Sequence, residues 1–247
     1  MLPRRDFMGN KKIFANQKMY MTKQDVETFI KASEEKEYEQ LVICPSILYL
    51  PLFQDSKFHL GVQNIFYEKK GAYTGEISPL QVKEYGVEYA IIGHSERRTI
   101  LHETNEMFQK KIDACKDQDI IPIFCIGETK EQYEMHKTNQ VLKRQLFDVL
   151  KNVKKEALEH IIIAYEPLWA IGTGMIPTNE EIERITQYIK SIINQVFHVS
   201  VPVLYGGSVN ERNISKLNQI SNIDGFLVGG ASKSISELLK MYEVVVS

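Results

Sequence analysis

Short apolar, β-branched runs alternate with more polar segments along the whole chain, and that alternation restricts the fold more than any other feature of the sequence. The runs are KIFANQ, LVICP, FHLGVQN, YAIIGH, IPIFCIGE, HIIIAYEP, VPVLYGG and GFLVGG. Between them, Gln24 to Lys36, Glu103 to Lys116, Lys130 to Lys151 and Asn179 to Phe197 carry apolar residues at three- and four-residue intervals, which predicts helices. Unbroken strand-helix alternation implies parallel strands joined by right-handed crossovers, and continuous runs such as HIIIAY imply strands covered on both faces. An open doubly wound sheet and a closed barrel both satisfy this pattern. About eight strands with their following segments in 247 residues favour the barrel. No linker, low-complexity tract or repeat divides the chain, so one domain over residues 1–247 is expected.

The formal charge of −2 and the lack of a dense basic tract give no positive field for a nucleic-acid backbone, so no nucleic-acid partner is expected. Cys44, Cys115 and Cys125 are odd in number and show no C-x-x-C spacing, which argues against a disulfide framework or a zinc site. The opening MLPRRDFM has the paired arginines of a twin-arginine signal, but lysines, glutamine and asparagines in GNKKIFANQKMYM interrupt any apolar segment. No apolar run approaches the ~20 residues that cross a bilayer. The expectation is a cytoplasmic protein with no membrane partner.

In a parallel α/β protein, ligands sit at the carboxyl ends of the strands. Those ends here carry Asn16 and Lys18, Gln63 and Asn64, His94 to Glu96, Cys125 to Glu128, Glu166, Gly206 to Ser208, and Gly229 with Gly230. Glu166, between IIIAY and PLW, is read as a partly desolvated carboxylate of raised basicity, suited to proton abstraction, or else as a strand-end partner for a lysine. His94 is followed by Ser95, which can start a helix with Glu96 in its first turn. An imidazole aimed at that N-terminus would have its charged form disfavoured and would act as a neutral donor. Lys18 could neutralise an anionic substrate, with Asn16 holding it, or be a solvated loop lysine. YGGSV and FLVGGAS end consecutive strands, and together with Gly172 and Gly174 in AIGTG they suggest backbone amides gathered around a phosphate. GTGMIP lacks the GK[ST] of a P-loop and the third glycine of a dinucleotide fingerprint, so no nucleotide cofactor is expected.

ANQKM, GAYTGEIS, GHSERR, CIGE, AYEPLWAIGTG, YGGSV and FLVGGAS resemble, in order and spacing, the signature stretches of the triosephosphate isomerase family. The resemblance spans the chain apart from an N-terminal extension, roughly residues 1–11. It implies a single (β/α)8 TIM barrel with parallel strands. It also implies interconversion of dihydroxyacetone phosphate and D-glyceraldehyde 3-phosphate through an enediolate, in glycolysis and gluconeogenesis, with no cofactor and no metal. By matching motif, Glu166 would be the base, His94 the electrophile and Lys18 the oxyanion stabiliser, with Asn16 beside it. Amides of Gly172, Ser208, Gly229 and Gly230 would hold the phosphate of the small triose substrate, while Ser95, Glu96, Cys125 and Tyr205 support the site. The PLWAIGTG segment would close as a lid, and QNIFYEKKGAYTGEIS, with Thr74 near its tip, would make a homodimer.

Two positions depart from the family pattern. Gln17 stands where a tryptophan is usual, and Pro177 stands where a small residue normally offers its amide to the tyrosine hydroxyl of the YGGS turn. Proline has no amide hydrogen, so Tyr205 is expected to lack that bond and lid closure to depend more on Ser208. On the residues alone two rivals remain: another sugar-phosphate barrel enzyme such as an epimerase or lyase, and a non-catalytic barrel, which would not need Lys18, His94 and Glu166 together.

Overall fold

The computed structural model describes residues 11–33 and 37–247. The arginine pair near the start, nearly all of the N-terminal extension and the last residues of the predicted helix Gln24 to Lys36 lie outside them. Eight parallel strands close into a barrel in sequence order: β1 (Lys12–Asn16), β2 (Tyr38–Cys44), β3 (Phe58–Val62), β4 (Tyr89–Ile92), β5 (Ile121–Ile126), β6 (Ile162–Tyr165), β7 (Val203–Tyr205) and β8 (Gly225–Val228). The β1–β8 ladder that closes it runs from Lys12 opposite Gly225 to Ala15 opposite Val228. Closure, rather than an open sheet, is what the strand count favoured.

The described helices are α1 (Lys23–Lys31), α2 (Pro79–Lys83), α3 (Ser95–Thr99), α4 (Asn105–Lys116), α5 (Lys130–Glu134), α6 (Thr138–Leu150), α7 (Lys155–Leu158), α8 (Asn179–Phe197), α9 (Ile214–Leu217) and α10 (Ile235–Val246). Their starts follow from local chemistry. Thr22, Ser78, Thr129 and Thr178 cap α1, α2, α5 and α8 through reciprocal side-chain and backbone bonds with the third helical residue. The segment Lys130 to Lys151 is two helices rather than one. His136 takes a left-handed φ of 56° between them, and α5 buries none of its residues, whereas α6 buries Leu142, Leu146, Val149 and Leu150. Helical spacing continues across the break, but α6 docks through buried apolar residues whereas α5 docks through the half-buried Tyr133, whose hydroxyl donates to Glu181. After β2 the chain makes a 3-10 turn, Ile47–Phe53, containing Pro51.

Alternation along the strands divides the apolar residues between two cores. Phe14, Val42, Tyr89, Ile91, Ile123, Ile162, Ala164, Leu204 and Leu227 fill the barrel interior, where the rings of Phe14 and Tyr89 meet edge to face at 5.1 Å. Their strand neighbours, such as Ile13, Ile163 and Phe226, pack outward against the helices. The same two-residue period carries Asn16, the last residue of β1, and Glu166, Gly206 and Gly229, each just past its strand, to the barrel mouth, and all four line one cavity there.

Candidate active site

The cavity at the carboxyl ends of the strands has a volume of about 350 Å³. On one wall, Lys18 follows β1 with a left-handed φ of 49°, a backbone state that a non-glycine residue holds only under constraint from its surroundings. The constraint is visible: its amide donates to Asn16 Oδ1 at 3.2 Å, and its carbonyl accepts from Gln63 Nε2 at 2.9 Å. Gln63 also donates to the Cys44 carbonyl at 3.0 Å, so the β3 end fixes the turn that aims the ammonium. Lys18 Nζ reaches Glu96 Oε1 at 2.6 Å.

His94 follows Gly93, which has φ 71° and no room for a side chain: a Cβ there would stand 2.9 Å from Arg98 Nη2. Arg98 donates to the carbonyls of Gly93 and Cys125 at 2.7 and 2.9 Å, and so ties the ends of β4 and β5 together. His94 caps α3. Its Nδ1 accepts the Glu96 amide at 3.3 Å, with Glu96 Oε2 3.5 Å from the same nitrogen, and its Nε2 lies 3.1 Å from Glu166 Oε1. An Nδ1 that accepts from an amide cannot carry the proton of a neutral ring, so that proton sits on Nε2 and is donated to the carboxylate.

Burial pushes the His94 pKa down, but the Glu166 and Glu96 carboxylates outweigh it and the net direction is upward. The amide contact expected from the helix start is therefore present, while the expected disfavouring of the charged form is overridden as long as Glu166 touches the ring. Glu166 differs from expectation in the matching way. Burial raises its pKa, yet the His94 contact, the Cys125 thiol and Lys18 together bring it below the usual carboxylate value. Removing the carboxylate from Nε2 works against both shifts: at the imidazole burial and Lys18 are then opposed by Glu96 alone, and Glu166 loses the partner that most suppresses its basicity. Glu166 Oε2 is buried and has no hydrogen-bond partner.

Bare backbone lines much of the rest of the cavity. A Cβ on Gly206 would come within 2.8 Å of Glu166 Cγ, which leaves no room for one, and a Cβ on Gly229 would press on Lys18 Cε at 3.2 Å, so these two side chains lie over bare backbone. Gly172 and Gly174 take left-handed φ values of 69° and 77° in the exposed segment after the 3-10 turn Leu168–Ala170. The near end of that segment is anchored. Trp169 Nε1 donates to Glu128 Oε1 at 3.0 Å, Tyr165 Oη donates to the same oxygen at 3.1 Å, and Ser208 Oγ donates to the Ala170 carbonyl at 2.6 Å. Trp169 also packs on the Tyr133 ring at 4.4 Å.

The triosephosphate isomerase family model matches residues 11–245. The chain is 46% identical over 237 residues to a triosephosphate isomerase of Dictyoglomus turgidum, covering 91% of this chain and 95% of that protein. The chain belongs to the triosephosphate isomerase family. Two further members, from Thermoanaerobacter pseudethanolicus and Clostridium tetani, are 42% identical over 240 residues (93% and 97% of the two chains) and 39% identical over 232 residues (89% and 91%).

Of the residues that the resemblance to the triosephosphate isomerase family singled out, Asn16, Lys18, His94, Glu166, Gly172, Ser208, Gly229 and Gly230 all line the one cavity. Ser95 and Cys125 line a second cavity of about 200 Å³ behind Glu166, and Glu96 joins Lys18 to His94. Tyr205 is fully buried and its hydroxyl has no hydrogen-bond partner, with Pro177 buried as well. Gln17 is buried in the tryptophan's place and donates to the Ser232 carbonyl at 3.4 Å. Sequence reading missed Glu237 and Asn210, which also line the mouth. Glu237 is the third residue of α10, and nothing in the local pattern shows that this helix start borders the cavity. Among the described residues no group of three or more His, Cys, Asp or Glu side chains is arranged to hold a metal ion, and no helix is long and apolar enough to cross a membrane.

Proposed function

We propose that Glu166 moves the proton between the two reacting carbons of the substrate, that His94 Nε2 polarises the carbonyl oxygen, and that Lys18 neutralises the oxyanion as it forms. As a member of its family the chain is an isomerase that interconverts dihydroxyacetone phosphate and D-glyceraldehyde 3-phosphate in glycolysis and gluconeogenesis. The observation that carries the assignment of roles is that Lys18, His94 and Glu166 line one cavity together with Gly172, Ser208, Gly229 and Gly230. A phosphate on amides of Gly172, Ser208, Gly229 and Gly230 leaves the triose carbons near Lys18, His94 and Glu166. A carbonyl oxygen entering between His94 and Lys18 takes the Nε2 proton donor from Glu166, which frees the carboxylate and raises its basicity as the substrate arrives. Charge that appears on the oxygens as the proton leaves carbon is then met by donors already in place, which is where binding energy accelerates the reaction.

The glycine-bearing segment after Trp169 serves as the lid, excluding water and protecting the enediolate from loss of phosphate. Ser208, already bonded at the near hinge, holds it; the Tyr205 hydroxyl has no amide to meet at Pro177. The chain works as a homodimer. Thr74 is exposed at the tip of the loop after β3, and Met19, Leu48, Ile100 and Leu101 leave large apolar surface exposed in loops on the same rim, as an interface requires. Sedimentation equilibrium giving a monomer would refute the dimer. The place of action is the cytoplasm. For the chemistry, a coupled assay of triose phosphate isomerisation on the parent and on Glu166→Asp decides. Shortening the reach of the carboxylate lowers turnover on the order of a hundredfold, and an aspartate variant with parental turnover would remove Glu166 from the base role.

A further inference from the structure

We propose that Gln17 is a positioning residue that couples the phosphate turn after β8 to the ammonium of Lys18, so that phosphate binding and the placement of Lys18 are set together. The proposal rests on the roles given above to Lys18 and Gly229. The β1–β8 ladder ends at Ala15 and Val228, one residue short of Asn16 and Gly229, so β1–β8 backbone pairing does not join these two cavity-bordering segments to each other, although Asn16 pairs with Cys44 of β2. Side chains continue the connection. Gln17 Nε2 donates to the Ser232 carbonyl at 3.4 Å, and Ser232 Oγ contacts the carbonyls of Asn16 and Gly229 at 2.8 and 2.5 Å. Both side chains are shut off from solvent. Lys18 itself packs close over Gly229, where an added Cβ would meet its Cε at 3.2 Å. A shift of the phosphate turn therefore has a side-chain route and a packing route to the same ammonium.

Gln17 is held firmly enough to act as such a link. Its amide donates to the Cys44 carbonyl at 3.2 Å, and the next residue is the left-handed Lys18, clamped by Gln63. Stability does not account for the amide, because Gln17 Oε1 is buried and has no hydrogen-bond partner; an apolar side chain of the same length would avoid that penalty. What an apolar side chain would lack is the donor to Ser232. Coupling the non-reacting phosphate to a group at the reacting oxygen is a means of spending remote binding energy on the transition state.

The test is Gln17→Met, which keeps length and flexibility but has no donor, with Ser232→Ala as a second break in the same connection. Each variant is measured for kcat and KM on D-glyceraldehyde 3-phosphate and for kcat/KM of proton exchange on D-glyceraldehyde, which lacks the phosphate. The ratio of the two kcat/KM values should fall about tenfold in both variants, through kcat rather than KM. A packing role alone would reduce both substrates alike, and an unchanged ratio in the folded variants overturns the inference. If Gln17→Met does not fold, Gln17→Leu, which also lacks the donor, decides, because Ser232→Ala leaves the carbonyl that Gln17 meets in place. Lys18→Met is the control: a hundredfold or greater loss there with an unchanged ratio in the other two sinks only the coupling, whereas parental activity in Lys18→Met removes the site reading and the coupling with it.

Discussion

At the end of the barrel where the strands begin, Lys11 gives its ammonium to the carbonyls of Asn218 and Ile220 at 2.6 Å each, and Lys190 meets Asp224 at 2.7 Å. Asp224 in turn accepts the Val203 amide at 2.7 Å. At the end where the strands finish, Lys18, Glu96, His94 and Glu166 form a chain of ionisable groups that contact one another, and Gln17, Glu128, Glu166 and Tyr205 each keep a buried oxygen without a hydrogen-bond partner. Charges at the first end hold backbone together. At the second, Arg98 also ties backbone, but the remaining ionisable groups contact one another and leave buried oxygens unsatisfied, an arrangement that weakens a fold and that functional sites retain because substrate completes it.

Glu166→Gln breaks the contrast most strongly. An amide oxygen can still accept from His94 Nε2, but it cannot take a proton from carbon, so kcat should fall on the order of a thousandfold or more while the protein folds normally. The pH dependence of stability separates the two effects. The folded-state pKa of Glu166 lies below its ordinary value of 4.5, so its ionised form contributes stability that is present above that value and lost as pH falls through the folded pKa. The parent should show this acid-side loss in urea titrations and the glutamine variant should lack it. A variant with the parental acid slope would mean that the carboxylate is not stabilised by His94 and Lys18 in the fold.

Much of this site was legible because strand ends can be read from apolar runs and because two-residue alternation predicts which residues reach the mouth. Glu166 after IIIAY and Gly229 after FLV follow directly from that parity. Contacts that depend on which strands become neighbours were not legible. Gln63 holding the Lys18 carbonyl, Ser232 beside Gln17, and Cys125 against Glu166 all require the closed barrel and its register. Sign was the other failure: Glu166 reads as a desolvated base and His94 as a helix-capping neutral ring, but each is the other's nearest charge partner, so both shifts run opposite to the single-residue expectation. The break at His136 was hidden for a different reason, since helical periodicity does not report a change of direction.

Tyr205→Phe probes the same end with a smaller change. The hydroxyl is buried without a partner, and Pro177 offers no amide for it when the lid shuts. Deleting it should raise unfolding stability by about 1 kcal/mol, the lower range of the cost of an unsatisfied buried donor, and should alter kcat by no more than about twofold. A tenfold loss of kcat would show that the hydroxyl gains a partner during turnover, and the lid would then close on Tyr205 as well as on Ser208.

The mildest change tests the opposite end. Burial, partly offset by Asp224 and reinforced by Lys190, lowers the Lys11 pKa from 10.5 to about 8. Below pH 8 the amine is protonated in both folded and unfolded chains, and the fold bears the cost of covering an ammonium. Between about 8 and 10.5 the unfolded chain binds more protons than the folded one, so stability rises with pH through that window. Lys11→Met should remove the rise, as read from urea midpoints at pH 7 and pH 10, because methionine fills the channel without a titrating group. Its kcat should equal the parent's, since the barrel lies between residue 11 and the cavity. An alkaline rise that survives the substitution would mean that the covered amine of Lys11 is not its source, and that the carbonyls of Asn218 and Ile220 hold the ammonium as well as water does.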